Sequence, residues 1–106
     1  MKKLYVLIDD DELVRMTWKF KAGASNVDFK AFSGVEDFMQ AADHLPKNCS
    51  VYIDSNLGDG IKGEEIAVEI SRMGFSEIHL ATGTEASDLS YDKNIIKSVR
   101  GKEPPF

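Results

Sequence analysis

The stretch "LYVLIDDDEL" runs a short apolar segment into three consecutive acids, Asp9, Asp10 and Asp11, and "YIDSNLGDG" ends another apolar segment on a lone carboxylate, Asp54. Thr82 directly follows a third apolar run, and Lys102 lies just beyond a fourth near the C-terminus. Carboxylates gathered in one place need a reason to stay ionised. At about 4 Å and an effective dielectric near 20, like charges repel by about 4 kcal/mol, so the cluster needs a cation, a proton or a basic neighbour. Mg²⁺ meets that need, because it prefers oxygen ligands and joins one or two carboxylates to phosphate oxygens. An aspartate beside such an ion is a competent nucleophile toward phosphorus. A threonine hydroxyl would donate to the phosphoryl group and a lysine would supply a point charge. Asp9, Asp10, Asp54, Thr82 and Lys102 together read as a phosphoryl-acceptor site.

Such a site forms only if the elements carrying these residues end at one edge. Leu4 to Ile8, Val27 to Phe32, Val51 to Ile53 and Ile78 to Ala81 predict short strands covered on both faces. Between them, Leu13, Met16, Thr17 and Phe20 share a helical face, widened by Val14 and Trp18, that ends near Gly23. Ser33 and Glu36 have capping-box spacing ahead of Val35, Phe38, Met39 and Ala42, and a third helical pattern runs from about Gly63 through Ile70 and Met73 to a stop at Gly74. This βαβ alternation predicts a parallel sheet with right-handed crossovers, whose strands' carboxyl ends line a crevice. Beyond Thr82 the pattern weakens: "GTEASDLSYDKN" is expected to hold a short helix and Ile95 to Val99 a fifth strand.

The 106 residues fit one domain, residues 1–106, with 42% hydrophobic and 29% charged residues, which argues against a disordered or fibrous chain. No apolar run approaches membrane-span length, and the acids come too early for a signal peptide, so a cytoplasmic location without membrane insertion is expected. Cys49 has no partner cysteine for an internal disulfide, and with His44 and His79 far apart there is no zinc-type ligand set. A net charge of −5 and the lack of any basic run interleaved with aromatics argue against nucleic acid as a partner.

"LIDDDELVR", "YIDSNL", "HLATGT" and "GKEPPF", in that order and each at a predicted strand end, resemble the receiver domain of bacterial two-component response regulators and hybrid sensor histidine kinases. The resemblance spans essentially the whole chain. It implies an α/β fold, a flavodoxin-like doubly wound parallel five-stranded sheet of order 2-1-3-4-5, here lacking the fifth helix. It implies a phospho-acceptor rather than an enzyme, with only self-phosphorylation and autodephosphorylation chemistry. Asp54 would accept a phosphoryl group from a phosphohistidine of a histidine kinase or phosphotransfer domain. Mg²⁺ would be held by Asp10 directly, by Asp9 largely through water, by Asp54 and by the carbonyl of Asn56. Thr82 and Lys102 would engage the phosphoryl oxygens and signal to the surface of the fourth helix and fifth strand. Asn56 and Thr84 would flank the route of the hydrolytic water, and Asp11 would remain a helix N-terminal acid.

Three departures from that pattern carry expectations of their own. The loop after Asp54 has Gly58 where a proline is usual, and one extra residue before Gly63. Glu103 separates Lys102 from the prolines, so any cis peptide would fall at Glu103-Pro104 or Pro104-Pro105. Without a fifth helix, apolar surface around Leu13, Met16 or Trp18 should be bare, to be covered by a second copy, by an adjoining kinase domain, or in part by the Pro-Pro-Phe tail. A rival resemblance is to haloacid-dehalogenase-like phosphatases, in which Asp9 and Asp11 would form D-x-D with Asp9 as nucleophile, but the further acidic pair after the lysine is missing. A third reading is a receiver-like interaction module that works without phosphate.

Overall fold

The computed structural model describes residues 3–106. Its strands are β1 (Leu4–Ile8), β2 (Asp28–Phe32), β3 (Ser50–Ile53), β4 (Glu77–Ala81) and β5 (Ile96–Arg100), and its α-helices are α1 (Glu12–Ser25), α2 (Val35–Ala41) and α3 (Gly63–Arg72). All strand pairs are parallel and the order is β2-β1-β3-β4-β5, as the resemblance implies. Alternation along each strand sends its side chains to two faces. Val6, Ile8, Val51, Ile53, Ile78 and Leu80 join Phe38 of α2 and Ala67 and Ile70 of α3 in one core, while Leu7, Tyr52 and Ala81 meet Trp18 of α1 in the other. None of the helices among the described residues is long and apolar enough to cross a membrane.

Local chemistry sets the helix ends. Asp11 caps α1 by accepting from the Leu13 N–H at 2.9 Å, and Asn26, left-handed at φ 56°, is the C-cap, so the helix ends at Ser25, two residues past the expected stop at Gly23. The expected capping box at Ser33 and Glu36 does not form. α2 begins one residue later, with Gly34 as its N-cap, and the Ser33 hydroxyl instead donates to Asp37 Oδ2 at 2.9 Å. α3 has its predicted start, and Gly74 follows its end at φ 103°.

The crossover from β4 to β5 corrects one expectation. Residues 83–95 carry a single 3-10 turn, Ala86–Asp88, so the surface beside β5 is a loop and not a fourth helix. Leu89 and Tyr91, which pack on the core with Ile95, are two residues apart and so do not share a helical face, while the Gly, Ser and Asp residues around them favour turns over helix interiors.

A second correction concerns the C-terminal tail. There is no cis peptide bond among the described residues. The chain after β5 lies against α1 and brings the Phe106 ring edge-on to Trp18, with centroids 5.9 Å apart, and to Tyr5 at 5.1 Å. Trp18 donates its indole N–H to the Lys102 carbonyl at 2.8 Å and is fully buried, not bare. The tail is therefore the partial lid, and it covers only the inner side of α1: Leu13, Met16 and Phe20 are 71%, 59% and 82% exposed.

The lid generates a stability prediction. Phe106→Ala should cost about 1–3 kcal/mol, from lost burial and lost edge-to-face contacts, read as a lower urea midpoint at unchanged m-value. An unchanged midpoint would show that the ring contributes nothing to the fold.

Candidate functional site

The acids are placed by backbone, which carries the parallel ladder one residue beyond the strands. The Asp9 N–H donates to the Phe32 carbonyl at 3.1 Å and the Asp54 N–H to the Ile8 carbonyl at 3.0 Å, so both residues stand at the carboxyl ends of adjacent strands. One carboxylate oxygen each from Asp9, Asp10 and Asp54 lies within 4.8 Å of the others. Asp9 and Asp54 are buried and Asp10 is exposed. The Lys102 ammonium meets this cluster, with Nζ 3.0 Å from Asp54 Oδ2 and 3.3 Å from Asp9 Oδ2.

The electrostatics follow from that arrangement. Burial pushes the Asp9 carboxyl above its ordinary value; the Asp11 N–H that it accepts at 2.9 Å pulls the other way, Asp54 adds repulsion and Lys102 offsets part of it. For Lys102, burial lowers the pKa, but the hydrogen bond to Asp54 and the charges of Asp54 and Asp9 outweigh it, and the net shift is upward. Asp9 Oδ2 is buried, faces the lysine, and makes no hydrogen bond. A buried oxygen with a free lone pair, beside two more carboxylates, is a hard-oxygen donor set that fits a divalent cation such as Mg²⁺.

The remaining predicted residues come to the same place. Asp10, Asp11, Asp54, Asn56, Gly58, Thr82, Gly83, Thr84 and Lys102 line a shallow pocket at this edge. Asn56 forms its wall, with its N–H donating to Asp54 Oδ1 at 3.3 Å and its side-chain oxygen accepting from the Gly58 N–H at 3.2 Å. The loop after Asp54 turns through three successive left-handed positions, Gly58, Asp59 and Gly60, under an antiparallel bridge between Asn56 and Lys62. Asp11 is committed to capping α1, and the fully buried Asp9 lies outside the residues that line the pocket.

Two residues that matter here, Ser55 and Arg15, carried no signal of their own in the sequence, and a third, Gly63, was legible there only as a helix start. Ser55 Oγ lies 2.5 Å from Thr82 Oγ1, both buried, and Thr82 Oγ1 also accepts from the Thr84 N–H at 3.1 Å. Extending the β3 to β4 register past Ile53 and Leu80 predicts that pair, because it sets residue 55 across from residue 82. Arg15 donates from Nη1 to the Asp9 carbonyl at 2.8 Å, pinning the turn that carries the acids. Gly63 packs so closely on the Asp54 carbonyl that any Cβ would overlap it, which is why α3 must open on glycine.

No family model and no curated protein sequence matches the chain. Solved structures do. The crystal structure of FixJ-N aligns with all of this chain and 84% of its own at 19% identity, with a TM-score of 0.78. The response regulator StyR aligns with all of this chain at 18% identity and a TM-score of 0.75; the chain covers 53% of StyR, about half its length. At these identities the likeness establishes architecture: the chain has the flavodoxin-like fold of response-regulator receiver domains.

Two predictions come from this geometry. Because folding raises the Asp9 pKa, ionised Asp9 disfavours the folded state; the penalty is absent below the ordinary carboxylate range and full above the folded pKa. Asp9→Asn should therefore melt higher than the parent at about pH 7 in chelator-treated buffer, with the gain vanishing near about pH 3. A lower melting temperature at neutral pH would contradict the sign. Gly63→Ala should destabilise by about 2 kcal/mol or more in chemical denaturation, whereas an unchanged midpoint would mean the α3 start shifts freely.

Proposed function

We propose that the chain is a receiver module of two-component signalling that accepts a phosphoryl group on Asp54 from a phosphohistidine of a histidine kinase or phosphotransfer domain. The observation that carries the reading is the meeting of Asp9, Asp10 and Asp54 with Lys102 at the carboxyl edge of a parallel sheet. In this reading the protein is a cytoplasmic phospho-acceptor within a response regulator or a hybrid sensor kinase. Its own chemistry is limited to taking on and shedding the phosphoryl group.

An Asp54 carboxylate oxygen attacks phosphorus, a P–O bond forms, the P–N bond to the donor imidazole breaks, and the imidazole leaves with the electron pair and takes a proton. Asp10, Asp54 and the Asn56 carbonyl, with Asp9 largely through water, would hold Mg²⁺, which would supply charge neutralisation on the phosphoryl oxygens. Lys102, already paired with Asp54 Oδ2 at 3.0 Å, orients the carboxylate before transfer and pairs with the phosphoryl oxygens after it. Thr82, whose hydroxyl pairs with that of Ser55 beside Asp54, donates to the same oxygens. Asn56 and Thr84, on the pocket wall, bound the approach of the water that attacks phosphorus and restores the Asp54 carboxylate. The signalling surface is the loop 83–95 with β5, since that loop begins next to Thr82.

Incubation with ³²P-labelled acetyl phosphate and Mg²⁺ tests the proposal. Acid-stable, base-labile label is expected on the parent and absent from Asp54→Ala; chelation should slow uptake by at least about 100-fold and Lys102→Ala by at least about tenfold. Label that persists in Asp54→Ala and disappears only in Asp9→Ala would overturn it.

A further inference from the structure

Among the described residues, the outer side of α1 gathers three of the four exposed large apolar side chains, the fourth being the isolated Ile61. Leu13, Met16 and Phe20, at three- and four-residue spacing, form a continuous stripe directly opposite the buried Trp18 and Ala22. Exposed apolar side chains scattered singly need no explanation, but a stripe with all three members more than half exposed does. Gly23 and Ala24 add a shallow apolar depression beside Met16 and Phe20, so a second helix meets no bulky obstacle there.

The flanking charges point to the occupant. Glu12 and Lys19 are two helical turns apart, so they lie on the same flank of the stripe, and both are exposed without an ion-pair partner among the described residues. In an antiparallel helix pair related by a two-fold axis, a flank meets the same flank of the other copy, and residue i meets j while j meets i. An axis near Met16 sets Leu13 against the other copy's Phe20, and Glu12 against the other copy's Lys19, twice over. Antiparallel macrodipoles add to the fit. The face is complementary to itself in both shape of pattern and sign of charge.

We propose that α1 is a homodimer interface, in which two copies pair antiparallel through Leu13, Met16 and Phe20 with reciprocal Glu12–Lys19 ion pairs. The pairing stands on α1 alone and is independent of the chemistry at Asp54. A single helix pair is a small interface, so the dimer is a reversible one with a dissociation constant of roughly micromolar or weaker.

Sedimentation velocity of the 106-residue chain, from about 1 µM to about 1 mM, reads the equilibrium directly. A monomer–dimer equilibrium is expected. Met16→Glu, which sets two carboxylates at the axis on an exposed site, should abolish it with an unchanged far-ultraviolet circular dichroism spectrum. Glu12→Lys and Lys19→Glu should each weaken it roughly fivefold to tenfold, since both exposed pairs turn repulsive, and the double exchange should restore it. A chain that stays monomeric to the highest concentration, a dimer that survives Met16→Glu, or a double exchange without rescue would each overturn the proposal. So would a monomeric parent whose phosphoryl uptake from a histidine kinase falls in Met16→Glu, which would assign the face to the donor protein.

Discussion

The ion contacts of Lys102 with Asp9 and Asp54 are the constraint on which the rest of the molecule depends. Parallel pairing of β1 with β3 forces the two aspartates together, because the ladder that fixes their backbones leaves the carboxylates no other direction. Like charges at that range repel by about 4 kcal/mol under an effective dielectric of 20, and burial of Asp9 adds to the cost. The ammonium offsets part of this. Residual strain in the charge state, with a buried Asp9 oxygen left without a hydrogen bond, is the condition in which a site binds a cation readily.

Because the lysine is far away in the chain, something must hold it in place. The Trp18 indole donates to the Lys102 carbonyl, and the Phe106 ring closes over Trp18, Tyr5 and Phe29. The aromatic lid is thus also the mount of the site's only cation among the described residues of the pocket. On the other side, the Gly63 contact ties the start of α3 to the Asp54 carbonyl, and the Ser55–Thr82 hydroxyl pair ties β3 to β4 next to the acid. Any group added to Asp54 therefore acts on three elements at once. The receiver fold that the chain shares with FixJ-N and StyR supplies the edge; these contacts give that edge its local character.

Helix α1 serves both halves of the molecule. Its inner side builds the second core and positions Lys102 through Trp18, while its outer side carries the Leu13, Met16 and Phe20 stripe. Its capping residue, Asp11, belongs to the same acidic run as the site, so the N-terminus of the helix and the edge of the pocket are one turn of chain.

Periodicity determined most of the architecture from sequence alone. Apolar runs at Leu4 to Ile8, Val51 to Ile53 and Ile78 to Ala81 fixed three strands, the glycines at 63 and 74 bracketed α3, and acids at strand ends marked the edge where chemistry would lie. These features are local: burial on both faces or on one stripe is written into spacing within a few residues. Tertiary structure decided what no spacing encodes. Whether Trp18 was bare or covered depended on a tail 84 residues further along the chain, and whether Thr82 was free or held depended on the register that set Ser55 opposite it. The start of α2 at Val35 was settled in the same way, since a weak local capping preference yields to the packing of Phe38 on the core. Spacing along the chain specifies which face of an element is apolar, but only the assembled fold specifies what that face meets.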